Sequence, residues 1–387
     1  MLDAYLDRLA AFEPSRFPVL SLYLDTSRDE TGRTRFDQWL RQEFDRRADT
    51  YAASSPERES FDRDVTRIHE YVANELRPDA KGLVIVSCSG ADLFEAVQLD
   101  VSPGSSVLVV NDRPHLYPLA RLDDQYPRYA ALLADTNRAR LFVFSTGRCE
   151  QVIDMAGQKT KRVKVGGWSQ ARYQRHIENY HLQHVKEVVD VLDRVVREER
   201  IPHVILAGDE VVIPLLRAQL PKHLEEKIVE VVRLDQRTPE HEVLDRTLDA
   251  LRRKDAETDE AVVQELLDEY RGGGLAAVGA VETMAAFERG QVDELVIAAT
   301  SDAIEEARVV AGGTAKAHAG SADVGLAAVD AAAERAERPE GELAANDQVA
   351  GELVARARQT GATVRFIEDT SLLDDIGGVG AFLRFRL

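Results

Sequence analysis

Short apolar blocks and longer periodic stretches alternate along the chain, and their spacing predicts the elements. Val19 to Leu24 (VLSLYL) is a six-residue apolar run closed by Asp25 and Thr26, the pattern of a buried strand. Thr34 to Asn74 follows helical periodicity, with Phe36, Trp39, Leu40 and Phe44 spaced for one face. Ser54-Ser55-Pro56 divides it into two helices. Gly82–Cys88, Leu93–Leu99 and Ser106–Val110 read as successive strands, separated by turns at Gly90-Ala91-Asp92 and Ser102-Pro103-Gly104.

A second pattern begins near Tyr129. Tyr129–Asp135 and Arg140–Ser145 read as strands paired across the turn Thr136-Asn137-Arg138, with Gln151–Asp154 as a third. Apolar residues then recur at Ile177, Tyr180, Val185, Val188, Val189, Leu192, Val195 and Val196, a helical stripe that Pro202 stops. His203–Ala207, a short helix over Val211–Leu220, a strand over Ile228–Leu234 and a charged helix over Glu240–Tyr270 follow. This order implies a mostly parallel sheet with crossover helices. Arg271-Gly272-Gly273-Gly274 suits a helix end and a domain hinge. Beyond it the pattern predicts helices over Val278–Phe287 and Gly351–Gln359. Strands are expected over Glu294–Ala299, Val364–Ile367 and Ala381–Leu387, the last from alternation in AFLRFRL. The resulting expectation is an α/β protein of three domains, 1–127, 128–272 and 273–387. The Ala-, Gly- and Glu-rich stretch 301–347 is expected to be a flexible insertion without chemistry.

Composition narrows the function classes. The 387 residues carry 44% hydrophobic and 30% charged side chains, and no run approaches the roughly 18 apolar residues of a membrane span. The acidic, amphipathic N-terminus lacks the features of a secretory signal. Cys88 and Cys149 are the only cysteines, too few for a disulfide framework or a zinc site, which fits a reducing cytoplasm. A net charge of −19 argues against a general nucleic-acid coat, so any RNA contact should be local.

One stretch runs against that charge. Lys159 to His176 (KTKRVKVGGWSQARYQRH) holds Lys159, Lys161, Arg162, Lys164, Arg172 and Arg175, and no Asp or Glu lies between Met155 and Ile177. Like charges on one segment repel, so an anion such as phosphate is expected to compensate them. A solvated loop of chance composition is the plain alternative. At its tip Gly166-Gly167 precede Trp168-Ser169-Gln170.

In its order of features the chain resembles the archaeal and eukaryotic class-one peptide chain release factors and their Pelota relatives, most closely the bacterial branch of that superfamily. Three places carry the resemblance: FPVLSLYLDT (17–26), the Gly166–Gln170 loop before a long helix, and AAVGAVETMAAFERGQVDELVIA (276–298) together with the ending 352–387. The resemblance implies a central domain with a ribonuclease-H-like mixed sheet and crossover helices. It implies a C-terminal α/β/α domain with the fold of a kink-turn RNA-binding ribosomal protein. It also implies a cytoplasmic, monomeric factor that hydrolyses the ester of peptidyl-tRNA on ribosomes, with the ribosome and the tRNA acceptor end as partners. No membrane contact or cofactor is implied, and a translational GTPase stands as a further partner.

By the same resemblance, Gln170 acts at the ester, beside Gly166, Gly167 and Ser169. Trp168 stacks on a base of the tRNA end, and Lys159, Lys161, Arg162, Lys164, Arg172 and Arg175 meet RNA phosphates. The family's two glycines and glutamine are contiguous, whereas Trp168 and Ser169 intervene here. The eukaryotic stop-codon motifs have no counterpart.

Other chemistry is open at this level. Cys88, in an apolar strand without a basic neighbour, reads as a buried thiol. His176, His181 and His184 start the helix after the loop, but no Cys or acidic partner completes a metal site. Asp135 and Asp209-Glu210, each following a strand, would suit a two-metal nuclease, though Asp209-Glu210 more simply suits a helix N-terminus, where its charge complements the dipole. A non-catalytic RNA-binding factor of the same shape is the remaining alternative.

Overall fold

The computed structural model describes residues 2–28, 36–156, 170–305 and 345–386, with the side chains of 156 and 170–180 left aside. Among them, no helix is long and apolar enough to cross a membrane. Over the described residues the chain is a mixed α/β protein with three sheets.

The first sheet follows helix α1 (Leu2–Ala10) and consists of β1 (Val19–Asp25), β2 (Gly82–Cys88), β3 (Leu93–Leu99) and β4 (Val107–Asn111). Its order is β3-β2-β1-β4 and every pairing is antiparallel. Helices α2 (Phe36–Ala48) and α3 (Pro56–Asn74) cover one face. Leu20, Leu22 and Leu24 of β1 join Ile85, Leu108, Leu40, Phe44 and Phe61 in that core. The opposite face of β1 is covered too, because Ser21 Oγ accepts from the His115 amide and Tyr23 Oη donates to the His115 carbonyl. Both faces being buried explains why β1 reads as an unbroken apolar run. The break foreseen at residues 54–56 is a capped start: Ser55 Oγ accepts from Arg58 N at 3.1 Å, with Pro56 at the first helical position.

After α4 (Tyr117–Gln125) comes the central sheet, with β5 (Tyr129–Ala134), β6 (Arg138–Ser145), β7 (Arg148–Ala156), β8 (His203–Gly208) and β9 (Ile228–Val232). Its helices are α5 (Gln170–Glu198), α6 (Val212–Arg217), α7 (Lys222–Glu225) and α8 (Glu240–Arg271). The order β7-β6-β5-β8-β9 is mixed: β5, β8 and β9 run parallel, while β5, β6 and β7 form an antiparallel meander. The expectation of a mostly parallel sheet is thus only half met, because hairpin turns supply half of the pairings. Alternate residues of β5 serve two cores. Ala130 and Leu132 pack with Val185, Val188 and Leu192 of α5, whereas Tyr129, Ala131 and Leu133 pack with Val243, Ala250 and Leu251 of α8.

The third sheet holds β10 (Ala276–Val278), β11 (Val292–Ala298), β12 (Thr363–Ile367) and β13 (Val379–Leu383), with helices α9 (Gly279–Glu288) and α10 (Ala345–Thr360). Its order is β10-β13-β11-β12, and only β11 and β12 are parallel. The last strand ends at Leu383 rather than Leu387. Both neighbouring strands begin there, β11 at Val292 opposite Leu383 and β10 at Ala276 opposite Phe382, so the ladder gives way to loop bonds such as that from Arg384 N to the Gln291 carbonyl. Residues 306–344 of the expected insertion lie outside the described residues.

The chain forms two compact units: residues 122–261, and residues 2–121 together with 262–387. Within the second, α1 packs on α10, and Gln359 Nε2 donates to the Ala10 carbonyl at 2.8 Å.

Candidate functional site

Strand β7 leads into the basic stretch and α5 leads out of it. Lys159, Lys161, Arg162, Lys164, Gly166, Gly167, Trp168 and Ser169 lie outside the described residues. Gln170, Arg172, Arg175 and His176 fall in the backbone of α5, whose first residue is Gln170. The first four N–H groups of a helix have no partner within it and sit at the positive end of its dipole. A backbone donor at Gln170 therefore suits a ligand oxygen carrying negative charge.

The sheet fixes one root of the stretch. Ala156 at the end of β7 pairs with Arg138, and Met155 pairs with Ala139. The β5–β6 turn there is held by Asp135, whose Oδ1 accepts from Asn137 N at 2.6 Å and Arg138 N at 2.7 Å. The helix fixes the other root, through His184 and the buried stripe Val185, Val188, Val189, Leu192, Val195 and Val196. His184 is buried and its Nε2 has no hydrogen-bond partner among the described residues. Burial lowers its pKa, opposed by Glu187, the Arg138 backbone and Asp135. With 1.5 Å of rise per residue, His184 lies about 21 Å along the helix from Gln170.

The rival chemistries fare differently. Asp135 is occupied in its turn. Asp209 Oδ1 accepts from Val211 N and Val212 N at 3.0 and 2.8 Å, and Glu210 pairs with Arg233. Asp209 takes the capping role that the sequence also allowed, while Asp135 is engaged in a turn and Glu210 in an ion pair. Among the described residues, no group of His, Cys, Asp or Glu has the geometry to hold a metal ion. Cys88 is buried, and burial raises its pKa. Cys149 is half-buried and pushed up to about 11 by burial first and Glu240 second. Neither is an activated thiolate at neutral pH.

One feature escaped the sequence altogether. His115 is buried in the second unit, its pKa lowered to about 4 by burial, and Gly351 packs against its ring. It lines a cavity of about 380 Å³ together with residues of α9 and α10. The sequence separation between His115 and Gly351 leaves no local signal for this contact.

Two family models match the chain. One, described as bacterial archaeo-eukaryotic release factor family 10, takes in residues 114–252, and the other, described as eRF1 domain 3, takes in residues 256–387. The chain belongs to the bacterial branch of the archaeo-eukaryotic release factors. The first match contains the whole basic stretch and both of its roots.

Two proteins from two strains of Mycobacterium tuberculosis, both described as uncharacterized, are each 26% identical over 289 residues. The match covers 73% of this chain and 72% of theirs. Among solved structures, ribosome-bound archaeal Pelota, described with ABCE1, aligns at 15% identity and a TM-score of 0.42. It covers 100% of this chain and 95% of that one. Saccharomyces cerevisiae Dom34, described as interacting with Hbs1, aligns at 12% identity and a TM-score of 0.41 over 79% and 81% of the two chains. An archaeal translation termination factor aligns at 17% identity and a TM-score of 0.27, over 99% of this chain and 97% of that one. The family assignment of this release-factor relative rests on the two family models.

Proposed function

We propose that this protein acts on ribosomes as a peptide release or rescue factor and hydrolyses the ester of peptidyl-tRNA. The observation that carries the reading is membership of the release-factor family across the segment holding Gly166-Gly167-Trp168-Ser169-Gln170. In the reaction, water adds to the ester carbonyl, the bond to the terminal ribose oxygen breaks, and that oxygen takes up a proton as the peptide acid forms. No side-chain nucleophile is required when the ester is held in place and donors face the developing oxyanion.

Gln170, the first residue of α5, is the proposed backbone donor, and its side chain orients the water. Gly166 and Gly167 let backbone approach the ester closely, and Ser169 donates to the ribose or the oxyanion. Trp168 stacks on a base of the acceptor end, and Lys159, Lys161, Arg162, Lys164, Arg172 and Arg175 neutralise RNA phosphates.

The proposal extends to a monomer working in the cytoplasm without a cofactor, delivered by a translational GTPase. It takes the central sheet, covered by helices on both faces, as ribonuclease-H-like. It takes β10–β13 with α9 and α10 as the kink-turn-binding ribosomal-protein type.

The test is release of labelled peptide from ribosome–nascent-chain complexes by the wild type, Gln170→Ala and Gly167→Ala. The expected result is release by the wild type and a loss of about a hundredfold in both variants, the scale of a misplaced water or a displaced backbone, since both keep the Gln170 N–H. Equal release by all three, or none in any ribosomal state, sinks the hydrolase reading. The Trp168-Ser169 insertion favours one second reading, a non-catalytic ribosome-binding factor. Salt-sensitive binding without release, unchanged by Gln170→Ala, would establish it.

A further inference from the structure

The cavity in the second unit lies where the segment after β4 meets α9 and α10. At about 380 Å³ it falls within the range of small-molecule sites. Its polar groups are of an unusual kind for an acidic protein bound to act on RNA, because its charges are already compensated. Arg113 Nη1 donates to both carboxylate oxygens of Glu352 at 3.2 and 3.0 Å, and Arg356 Nε donates to the same carboxylate at 2.9 Å. No uncompensated cation is left here to draw a phosphate.

What remains is neutral and hydrogen-bonding. Asn111 and Gln348 bring side-chain amides from opposite elements, each able to donate and accept along one edge. The His115 ring, more than nine-tenths buried, lines the same cavity. Met284 contributes a polarizable thioether of the sort that packs on flat rings. Asp112, with a side chain about half exposed and its Oδ1 3.8 Å from Arg113 Nε, adds a carboxylate acceptor suited to a ribose diol. Gly351 belongs to the construction: a Cβ there would meet His115 Nδ1 at 2.6 Å.

We propose that this cavity binds a nucleoside, with the base edge read by Asn111, Gln348 and His115 and the ribose by Asp112. Adenine is the best match, since a side-chain amide can pair with its N6 and N7 in two bonds. The base comes either from a free nucleoside or from single-stranded RNA, and both present the same edge. The site is independent of the ester chemistry proposed for the central unit.

The test is titration calorimetry of the full chain, without ribosomes, against adenosine, AMP and a short oligoadenylate. Saturable adenosine binding is expected, weakened about tenfold or more by Asn111→Ala and by Gln348→Ala. Both positions are exposed, so the fold tolerates the changes. Oligoadenylate binding tighter than adenosine, and equally sensitive to the two variants, assigns the base to RNA. Equal affinities assign it to a free nucleoside. No saturable binding by any ligand overturns the proposal, and so does binding that both variants leave intact. AMP binding more than tenfold tighter than adenosine would show that the site reads phosphate and overturns it as well.

Discussion

The hydroxyl of Tyr117 donates to the carbonyl oxygen of Ala298 at 2.8 Å, across 181 residues of sequence. The bond is buried and joins the two separated stretches of the second unit. The same ring meets Phe366 edge-on, with centroids 5.5 Å apart at 66°. Burial pushes the phenol pKa far up, so the hydroxyl stays protonated and donating at every ordinary pH. Tyr117→Phe keeps the ring contact and strands the Ala298 carbonyl. The expected loss is about 1–2 kcal/mol, a fall in midpoint of roughly 2–7 °C for this unit by differential scanning calorimetry.

Gly351 has no room for a methyl group against the His115 ring. Gly351→Ala should cost about 1–3 kcal/mol in urea unfolding, the scale of overpacking. Adding His115→Ala removes the obstructing ring. The double variant should therefore lose less than the sum of the single losses, a coupling that two unconnected sites would not show.

The buried His115 also fixes a pH dependence. Its folded pKa is lowered to about 4 from an ordinary value of 6.5, chiefly by burial and against the pull of Asp347. Between those two values the unfolded chain binds the proton and the folded one does not. Stability is therefore lost as pH falls from 6.5 toward 4, by up to about 3 kcal/mol from this group. Burial lowers His184 in the same direction. Guanidinium midpoints at pH 7 and pH 5 should differ less in His115→Gln than in the wild type. An unchanged difference would rule out His115 as a source.

Asp64 is fully buried in the first sheet's core and accepts from Ser87 Oγ, from Ser89 N at 2.8 Å and from Ser89 Oγ at 2.7 Å. These bonds tie α3 to the end of β2. Asp64→Ala leaves an amide and two hydroxyls without their acceptor and should cost about 2–4 kcal/mol. Ser89→Ala removes one hydroxyl and should cost nearer 1 kcal/mol, since the Ser89 amide still donates.

Strand runs such as Val19–Leu24 and Gly82–Cys88 were legible because burial on both faces leaves an uninterrupted apolar signature. The α5 stripe was legible for the complementary reason, since one face alone is buried and the 3.6-residue period survives. The mixed order of the central sheet was only partly legible, because pairing direction depends on which strand each element returns to. The stop at Leu383 was hidden for a similar reason: alternation continues to Leu387, but pairing needs a partner strand. For the candidate site, charge and motif single out the basic residues and Gly-Gly-Trp-Ser-Gln, but that Gln170 already opens α5 was not legible, because the apolar stripe begins only at Ile177. His115 and its cavity could not, because Gly351 and Gln348 reach them only through the closed fold.

The second unit draws on both stretches of the chain, 2–121 and 262–387. During synthesis the first of these leaves the exit tunnel long before its partners exist. Leu2, Leu6 and Leu9 of α1 belong to a helix packed on α10. At about 5–20 residues per second, that helix waits roughly twenty seconds to a minute for its cover. The interval is a window in which a chaperone can hold the early segment, and in which a destabilised variant would be lost to aggregation before its fold could close.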